Sequence, residues 1–268
     1  MNKTILITGA TDGIGFATAK MLASKGYSLL IHGRNSEKLN NVKKALISIN
    51  KTINIQTYLA DLSLLTEVQT LVNKVKSEHE TIDVLINNAG VFKTVEPLTA
   101  DGLDIRFSVN TIAPYILTKQ LVTLLGNTGR VINLSSAAQA PVNIDALLGK
   151  VKLTDMEAYS QSKLAITMWS KSLANRYKEN GPTIIAVNPG SLLASKMVKE
   201  GFGVAGHDIT IGAKILMRLS LEEDLYKFTG QYFDNDKGEY SSPHPDGMNM
   251  QKIDEIIKVM EKMLSDKH

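Results

Sequence analysis

The regular alternation of short apolar runs with helical patterns constrains the fold more than any other feature of this sequence. The first run, residues 4–8, is apolar and rich in β-branched side chains, as expected for a strand buried on both faces. Similar runs follow at 27–31, 53–58, 82–86, 130–134, 183–187 and 231–233. This spacing predicts an α/β fold: a single doubly wound domain over residues 1–268, with a mainly parallel sheet of six to seven strands and helices on both faces.

Helical periodicity fills the intervals between the predicted strands, except in two long segments. The helical patterns cover about 15–24, 36–48, 64–79, 101–125, 157–178 and 251–264. The exceptions, 137–156 and 191–228, each follow the carboxyl end of a predicted strand, where open α/β sheets bind their ligands. We therefore predict that 191–228 is a substrate-binding loop or lid inserted within the domain.

Apolar side chains in these two segments predict a small, apolar substrate. They are Val142, Ile144, Leu147, Leu148, Leu192, Leu193, Met197, Val198 and Phe202. The alternative is that they pack the two segments onto the body of the domain. Neither the identity of the substrate nor the direction of a reaction follows from these residues.

Composition narrows the class of protein. The chain has 268 residues and is 43% hydrophobic, which suffices for one large buried core. Its 30 basic and 27 acidic residues nearly balance, so no nucleic-acid partner is expected. The absence of cysteine excludes disulfides and thiolate metal sites, and no metal site is predicted. No signal-peptide pattern and no apolar run of about 18 residues is present, so we expect a soluble, cytoplasmic protein without a membrane span.

A glycine-rich turn follows the first predicted strand, with the sequence Thr8-Gly9-Ala10-Thr11-Asp12-Gly13-Ile14-Gly15. Glycine permits positive φ and lets the backbone approach a pyrophosphate, which the positive end of the next helix attracts. The alternative is a tight turn that binds nothing. Its position in the first βαβ unit favours a dinucleotide site and therefore a Rossmann-type domain.

The residues after the second predicted strand indicate which dinucleotide is bound. A carboxylate there would bond the ribose 2′-hydroxyl of NAD and repel a 2′-phosphate. The sequence instead reads Gly33-Arg34-Asn35, and an arginine offers a charged, planar set of donors to a phosphate. We therefore predict NADP (NADPH) as cofactor, with NAD less favoured. The alternative is that Arg34 is a solvated loop residue.

Tyr159 and Lys163 stand four residues apart at the start of a long helical pattern, which places both side chains on one face. The ordinary pKa of tyrosine is about 10. A neighbouring ammonium favours the phenolate and lowers that pKa, which would suit proton transfer. The alternative is an ordinary exposed pair on a helix surface.

Several motifs occur in a fixed order along residues 3–190. They are the glycine turn, Asp61-Leu62, Asn87-Asn88-Ala89-Gly90, Asn110, Ser135-Ser136, Tyr159-x-x-x-Lys163 and Asn188-Pro189-Gly190. Together they resemble the short-chain dehydrogenase/reductase family. Two segments resemble the retinol-dehydrogenase-like branch of this family. They are Ala158-Tyr159-Ser160-Gln161-Ser162-Lys163-Leu164-Ala165 and, nearer the C-terminus, Gly230-Gln231-Tyr232-Phe233.

The resemblance implies a role for each catalytic residue. Tyr159 would be the general acid in reduction and the general base in oxidation, with Lys163 lowering its pKa and binding the nicotinamide ribose. Ser136 would bond the substrate oxygen; alternation along a strand lets only one of Ser135 and Ser136 face the cofactor, and the family pattern assigns Ser136. Asn110 would hold a water that relays protons to Lys163. Alternatively, Asn110 ties neighbouring backbone.

The predicted cofactor contacts extend from the glycine turn to the sixth predicted strand. They are Gly9, Thr11, Asp12, Gly13, Ile14, Gly15, Arg34, Asn35, Asp61, Leu62, Asn88, Ala89, Gly90, Tyr159, Lys163, Pro189 and Gly190. Asp61 has an alternative local role as a helix cap near Ser63. Many family members have a threonine shortly after Pro-Gly that bonds the nicotinamide carboxamide, and this sequence lacks it after Gly190. We expect Ser195 or a backbone group to make that contact instead.

The resemblance implies an NADP-dependent oxidoreductase that transfers a hydride between nicotinamide and a carbonyl or alcohol group of a small substrate. A non-catalytic dinucleotide-binding sensor or scaffold on the same fold is the alternative. Reduction of a carbon–carbon double bond on the same residues also stays open. Family members commonly form homodimers or homotetramers through two long helices, here near 111–125 and 157–178.

Overall fold

The computed structural model describes residues 3–178 and 180–266, apart from the side chain of Phe202. Within this part of the chain the strands form one sheet. They are β1 (Thr4–Ile7), β2 (Ser28–Gly33), β3 (Ile55–Leu59), β4 (Val84–Asn87), β5 (Arg130–Leu134), β6 (Thr183–Asn188), β7 (Tyr232–Asp234) and β8 (Glu239–Ser241). Their spatial order is β3-β2-β1-β4-β5-β6-β7-β8, parallel throughout except for the last pair.

Helices cover both faces of the sheet. The longer ones are α1 (Gly13–Ser24), α2 (Ser36–Ile49), α3 (Leu65–Glu78), α5 (Ala113–Leu125), α7 (Asp155–Tyr177), α9 (Thr210–Leu221) and α10 (Met250–Asp266), and the short ones are α4 (Ile105–Phe107), α6 (Ile144–Leu147) and α8 (Lys196–Phe202). One core lies beneath α1, α2 and α9, and the other beneath α3, α5, α7 and α10. The predicted doubly wound fold is confirmed.

Successive strand residues point to opposite cores, as the pleat of a strand requires. Ile5 and Ile7 lie in the core beneath α1, whereas Leu6 between them lies in the core beneath α5 and α7. This two-sided burial explains why the predicted strands read as continuous apolar runs without alternation.

Helix α7 is a core helix, because every residue from 160 to 170 is buried. Its beginning is defined by a capping box, in which the Thr154 hydroxyl accepts from the amide of Glu157 and the Glu157 carboxylate accepts from the amide of Thr154. Trp169 packs edge-on against Tyr115 of α5, with ring centroids 5.5 Å apart. The capping box therefore fixes where α7 begins, and the packing of its buried residues fixes its position in the core.

The structure differs from the sequence-based prediction in two elements. The sheet has eight strands within the described residues instead of six to seven, because β8 is three residues long and lacks an apolar run that would predict it. The helix predicted at 101–125 begins at Ile105 and passes through a π-helical turn at Ser108–Ile112 before α5.

The predicted lid over 191–228 consists of two unlike halves. In the second half, Ile215, Leu216 and Leu219 are buried, and α9 packs along α1 as part of the body. The first half, residues 191–209, contains α8 and lies beside the sheet's carboxyl edge; its role as a lid stays a prediction. Across the described residues, none of the helices combines the length and the apolarity that crossing a bilayer demands.

Candidate active site

A cleft of about 560 Å³ opens at the carboxyl ends of the parallel strands. It spans the point between β1 and β4 where the strand order reverses, which is the ligand-binding position of doubly wound sheets. Most of the predicted cofactor residues line it: Gly9, Thr11, Asp12, Gly13, Ile14, Arg34, Asn35, Asp61, Leu62, Asn88, Ala89, Gly90, Tyr159, Lys163 and Pro189. These residues come from the ends of five strands, β1, β2, β3, β4 and β6, and from α7.

The glycine turn needs its glycines for two different reasons. Gly9 and Gly13 have positive φ angles of 64° and 56°, which favour glycine. Gly15 instead lies behind the cleft, where a Cβ would collide with the carbonyl oxygen of Gly9 and the side chain of Asn88. Asp12 caps α1 by accepting from the Gly13 amide at 2.7 Å. The turn leaves a backbone surface that a pyrophosphate can approach.

The segment after β4 is hydrogen-bonded to this turn. The Asn88 side-chain amide donates to the carbonyl oxygens of Thr8 and Gly9 at 2.8 and 3.0 Å. The backbone amides of Asn88 and Ala89 donate to the Thr8 hydroxyl at 3.0 and 3.1 Å. The two segments, both of which line the cleft, therefore hold each other in position.

His32 is a residue of the cleft that the sequence-based prediction missed. Its Nδ1 accepts from the Gly9 amide at 3.3 Å and its Nε2 donates to the Ala60 carbonyl at 3.0 Å. These bonds require a neutral ring with the proton on Nε2. Burial lowers the pKa of His32 to about 4, so the ring is neutral at pH 7. A polar residue near the end of an otherwise apolar strand was the available signal.

The far end of the cleft, beyond β2, is positively charged. Arg34 and Lys38 are exposed and line it, and Asn35 caps α2 by accepting from the Lys38 amide at 2.9 Å. Lys38 was not predicted. The carboxylate of Asp61, which lines the cleft, accepts from the Ser63 amide at 2.9 Å in the turn before α3. The alternative role of Asp61 as a helix cap is not observed, because α3 begins at Leu65 after the N-cap residue Leu64, and the Leu65 amide donates to Asp101.

Tyr159 and Lys163 line the opposite end of the cleft. The Lys163 ammonium lies 5.6 Å from the centroid of the Tyr159 ring and donates to the Leu134 carbonyl at 2.7 Å. Burial lowers the pKa of Lys163 to about 7. Burial raises the pKa of Tyr159, against a smaller lowering by a hydrogen bond with Ser136. The proposed lowering of the Tyr159 pKa by Lys163 stays a prediction.

The two adjacent serines after β5 face different ways. The Ser135 hydroxyl lies 2.9 Å from the Lys163 carbonyl and 2.6 Å from the Thr167 hydroxyl, so it faces the body of α7. The Ser136 hydroxyl contacts Tyr159 and accepts from the Ala138 amide at 3.1 Å. The structure therefore places Ser136 rather than Ser135 beside the tyrosine.

Asn110 lies in the π-helical turn and is fully buried. Its Oδ1 accepts from the Val91 amide at 2.8 Å, and its Nδ2 donates to the Val91 carbonyl and the Ser162 hydroxyl, both at 2.9 Å. The side chain thus joins the segment after β4 to α7, as the alternative reading proposed. The predicted water relay to Lys163 stays a prediction.

The turn between β7 and β8 supports the segment that contains Pro189 and Gly190. Asp236 accepts from the Ser191 amide at 2.8 Å, from the Ser191 hydroxyl at 2.5 Å and from the Asn188 side chain at 2.8 Å. Gly190 has a φ of 127°. Ser195, the predicted substitute for a threonine, lines the cleft, and its hydroxyl caps α8 by accepting from the Val198 amide at 3.2 Å.

An aromatic ring and α8 line the end of the cleft beside Tyr159. Phe92 packs edge-on against Tyr159 with centroids 5.1 Å apart, and Met197 lines the cleft nearby. Of the predicted wall residues, Leu147 and Leu193 are buried, and Val142, Ile144 and Leu148 pack against the core. These five therefore support the packing alternative, whereas the side chain of Phe202 lies outside the described part of the chain.

A doubly wound sheet with a glycine turn and a cleft at its switch point defines a Rossmann-type dinucleotide-binding class of protein. Residues 3–202 match the model of the short chain dehydrogenase family, so the chain belongs to that family of oxidoreductases. Its curated relatives place it in the retinol-dehydrogenase-like branch.

Three similar proteins illustrate the relationship. The chain is 31% identical to retinol dehydrogenase 13 of Mus musculus over 260 residues, which cover 90% of this chain and 78% of that protein. It is 32% identical to human polyprenol dehydrogenase over 199 residues, which cover 70% of this chain and 60% of that protein. A short chain dehydrogenase from Burkholderia cenocepacia, solved in complex with NADP, superposes with a TM-score of 0.70 at 25% identity, covering 87% of this chain and 95% of that one.

Proposed function

We propose that the protein is an NADP-dependent oxidoreductase that transfers a hydride between nicotinamide and a carbonyl or alcohol group of a small apolar substrate. The observation that carries the proposal is one cleft with a glycine turn in its middle, two cations at one end and Tyr159 and Lys163 at the other, with the Ser136 hydroxyl beside the tyrosine. When bound, the nicotinamide supplies the hydride. The residues present fit such a dinucleotide, because the turn presents backbone at positive φ to its phosphates.

The protein would supply the proton and the orientation of the substrate. The Tyr159 hydroxyl would donate its proton to the substrate oxygen during reduction, and the Ser136 hydroxyl beside it would bond that oxygen. The Tyr159 phenol, whose ordinary pKa of about 10 is raised further by burial, carries its proton at pH 7 and can donate it. Lys163, with a pKa near 7, is suited to exchange a proton with Tyr159 and with solvent. The Phe92 ring and α8 would shape an apolar wall for the substrate.

The role of Tyr159 is tested by the substitution Tyr159→Phe. Retinol and polyprenol, the alcohols in the names of two relatives, suggest a panel of long apolar alcohols and aldehydes, assayed through NADPH absorbance. We expect turnover to fall about 10²–10⁴-fold while the Kd for NADPH stays within about twofold. Tyr226→Phe, at an exposed tyrosine, is the matched control. Turnover near that of the wild type in Tyr159→Phe would refute the assignment. Tight NADPH binding without turnover of any panel member would support a sensor instead.

The preference for NADP is tested at the positively charged end of the cleft. Losing a charged hydrogen bond to phosphate costs about 1.5–3 kcal/mol, so Arg34→Ala should raise KM for NADPH about 10–100-fold and leave KM for NADH nearly unchanged. Lys38→Ala should have a smaller effect of the same sign, because lysine is a point charge without a planar fork. Lys44→Ala, at an exposed position of α2, is the control. Equal KM values for both cofactors in the wild type would contradict the preference.

A further inference from the structure

The side chain of Arg106 is one of the largest fully buried groups in the described structure, with 1% exposure. Its Nε and Nη2 donate to the two carboxylate oxygens of Asp104 at 2.8 and 2.6 Å. Its Nη1 donates to the carboxylate of Asp155 and to the carbonyl oxygen of Phe92, the latter at 3.4 Å. One guanidinium therefore connects three separate segments of the chain.

Charge balance does not require the contact with Asp155. The bidentate pair with the buried Asp104 already neutralises the guanidinium. The Asp155 side chain is 40% exposed, so water would solvate it without a partner. Nor is Asp155 needed to begin α7, because Thr154 and Glu157 provide a complete capping box. Buried ion pairs add little net stability, so the contact calls for another explanation.

The three segments that meet at Arg106 are those that surround Tyr159. Asp155 is the first residue of α7 and lies one helical turn before Tyr159, on the same face. Phe92, whose carbonyl oxygen Arg106 bonds, packs its ring against the edge of the tyrosine. Asp104 caps α4, which leads directly into the π-helical turn that contains Asn110.

We propose that Arg106 is a positioning residue for the reaction: through Asp155 and the Phe92 carbonyl it fixes the Tyr159 hydroxyl relative to the cleft. This inference rests on the proposed function. Misplacing a reacting group by about 1 Å costs as much as about 10²-fold in rate, so a partial loosening of α7 should be visible in kcat.

The test removes the exposed partner and leaves the buried Arg106–Asp104 pair intact. In Asp155→Ala we expect kcat to fall about tenfold or more, with KM for NADPH within about twofold of the wild type. Amide hydrogen exchange in the first two turns of α7 should become faster in the NADPH complex. Asp155→Asn keeps an oxygen acceptor for Arg106 and should recover part of both losses. Asp145→Ala, which removes an exposed, ion-paired carboxylate from the first turn of α6, is the matched control.

Each outcome decides the proposal. A kcat for Asp155→Ala within twofold of the wild type would overturn it, as would an equal loss in Asp145→Ala. A lowered Tm with unchanged kcat would show a merely structural contact and would also overturn it. If the wild type shows no turnover, the proposed function fails and a positioning role in its reaction is overturned with it. A wild type that turns over while Asp155→Ala keeps its kcat overturns the positioning role alone.

Discussion

At the scale of single residues, His32 is a buried titratable group whose lowered pKa makes the free energy of unfolding depend on pH. Its neutral ring joins the glycine turn to the segment after β3, and its pKa of about 4 lies below the ordinary value of about 6.5. As pH falls, the unfolded chain therefore takes up the proton first. The contribution of the neutral His32 ring to the free energy of unfolding is therefore complete above about pH 6.5. It is lost progressively as pH falls towards 4.

We expect the free energy of unfolding to fall by about 2 kcal/mol more in the wild type than in His32→Gln between pH 7 and pH 5. Glutamine keeps an acceptor for Gly9 and a donor for Ala60 but does not titrate in this range. Urea titrations at both pH values measure the difference, and His207→Gln, at an exposed histidine, is the control. Parallel losses in the wild type and His32→Gln would show that another group is responsible.

His32 is also an example of a site residue that could not be predicted from the sequence. Tyr159, Lys163 and the glycines were predictable because their spacing within one element already implies their geometry. His32 was not, because its partners Gly9 and Ala60 lie on other segments of the chain. Arg106 was not, because its contacts with Phe92 and Asp155 join segments distant in sequence. Lys38 was missed although it lies only three residues after Asn35, whose side chain accepts from its amide. Ser136 and Ser135 fall between these cases: strand alternation says that they differ, and the packing of α7 shows which one faces Tyr159.

At the scale of elements, the β7–β8 hairpin is hydrogen-bonded to residues 188–191, which connect β6 to residues 191–209. Asp236 accepts three hydrogen bonds from Asn188 and Ser191, and the Asn235 side chain donates to the Pro189 carbonyl at 2.9 Å. Leu192, which follows Ser191, has a φ of 50°. This left-handed conformation costs a non-glycine residue about 1–2 kcal/mol. We expect the hairpin contacts to help hold the chain in this conformation. Neither β8 nor the contacts of the turn before it were predictable from the sequence. The strand is only three residues long, and the position of the turn depends on the pairing of β8 with β7.

Asp236→Ala should loosen the connection between β6 and residues 191–209, because it removes three hydrogen bonds. We expect trypsin to cleave after Lys196 or Lys199 about five- to tenfold faster, as expected for losing roughly 1–1.5 kcal/mol of local stability, and KM for the apolar substrate to rise. Asp224→Ala, which removes an exposed ion pair with Lys227, is the control. Cleavage of Asp236→Ala at the wild-type rate would show that the hairpin does not restrain this segment.

At the scale of the whole molecule, α10 covers the face that the two long helices would offer to a second subunit. Its Ile253, Ile256, Ile257, Met260 and Met263 are buried, in the same core as α5 and α7. The carboxylate of Glu261 accepts from the Tyr115 hydroxyl at 2.8 Å and from Lys119 at 2.7 Å, and it lies 3.7 Å from Arg176. The pairing through 111–125 and 157–178 that the family resemblance implies would require this helix to leave.

We therefore expect the protein to be a monomer at micromolar concentration, with or without NADPH, in analytical ultracentrifugation. Displacing α10 would expose five apolar side chains at about 1.5–3 kcal/mol each, and a second subunit would have to restore all of that burial before any net association. Truncation after residue 249 should accordingly produce dimers or aggregates, whereas Glu261→Gln, which weakens the polar contacts alone, should leave the protein monomeric. A wild-type dimer whose cross-links map to α5 and α7 would contradict this expectation. It would show that these two helices form the subunit interface and that α10 does not cover them in solution.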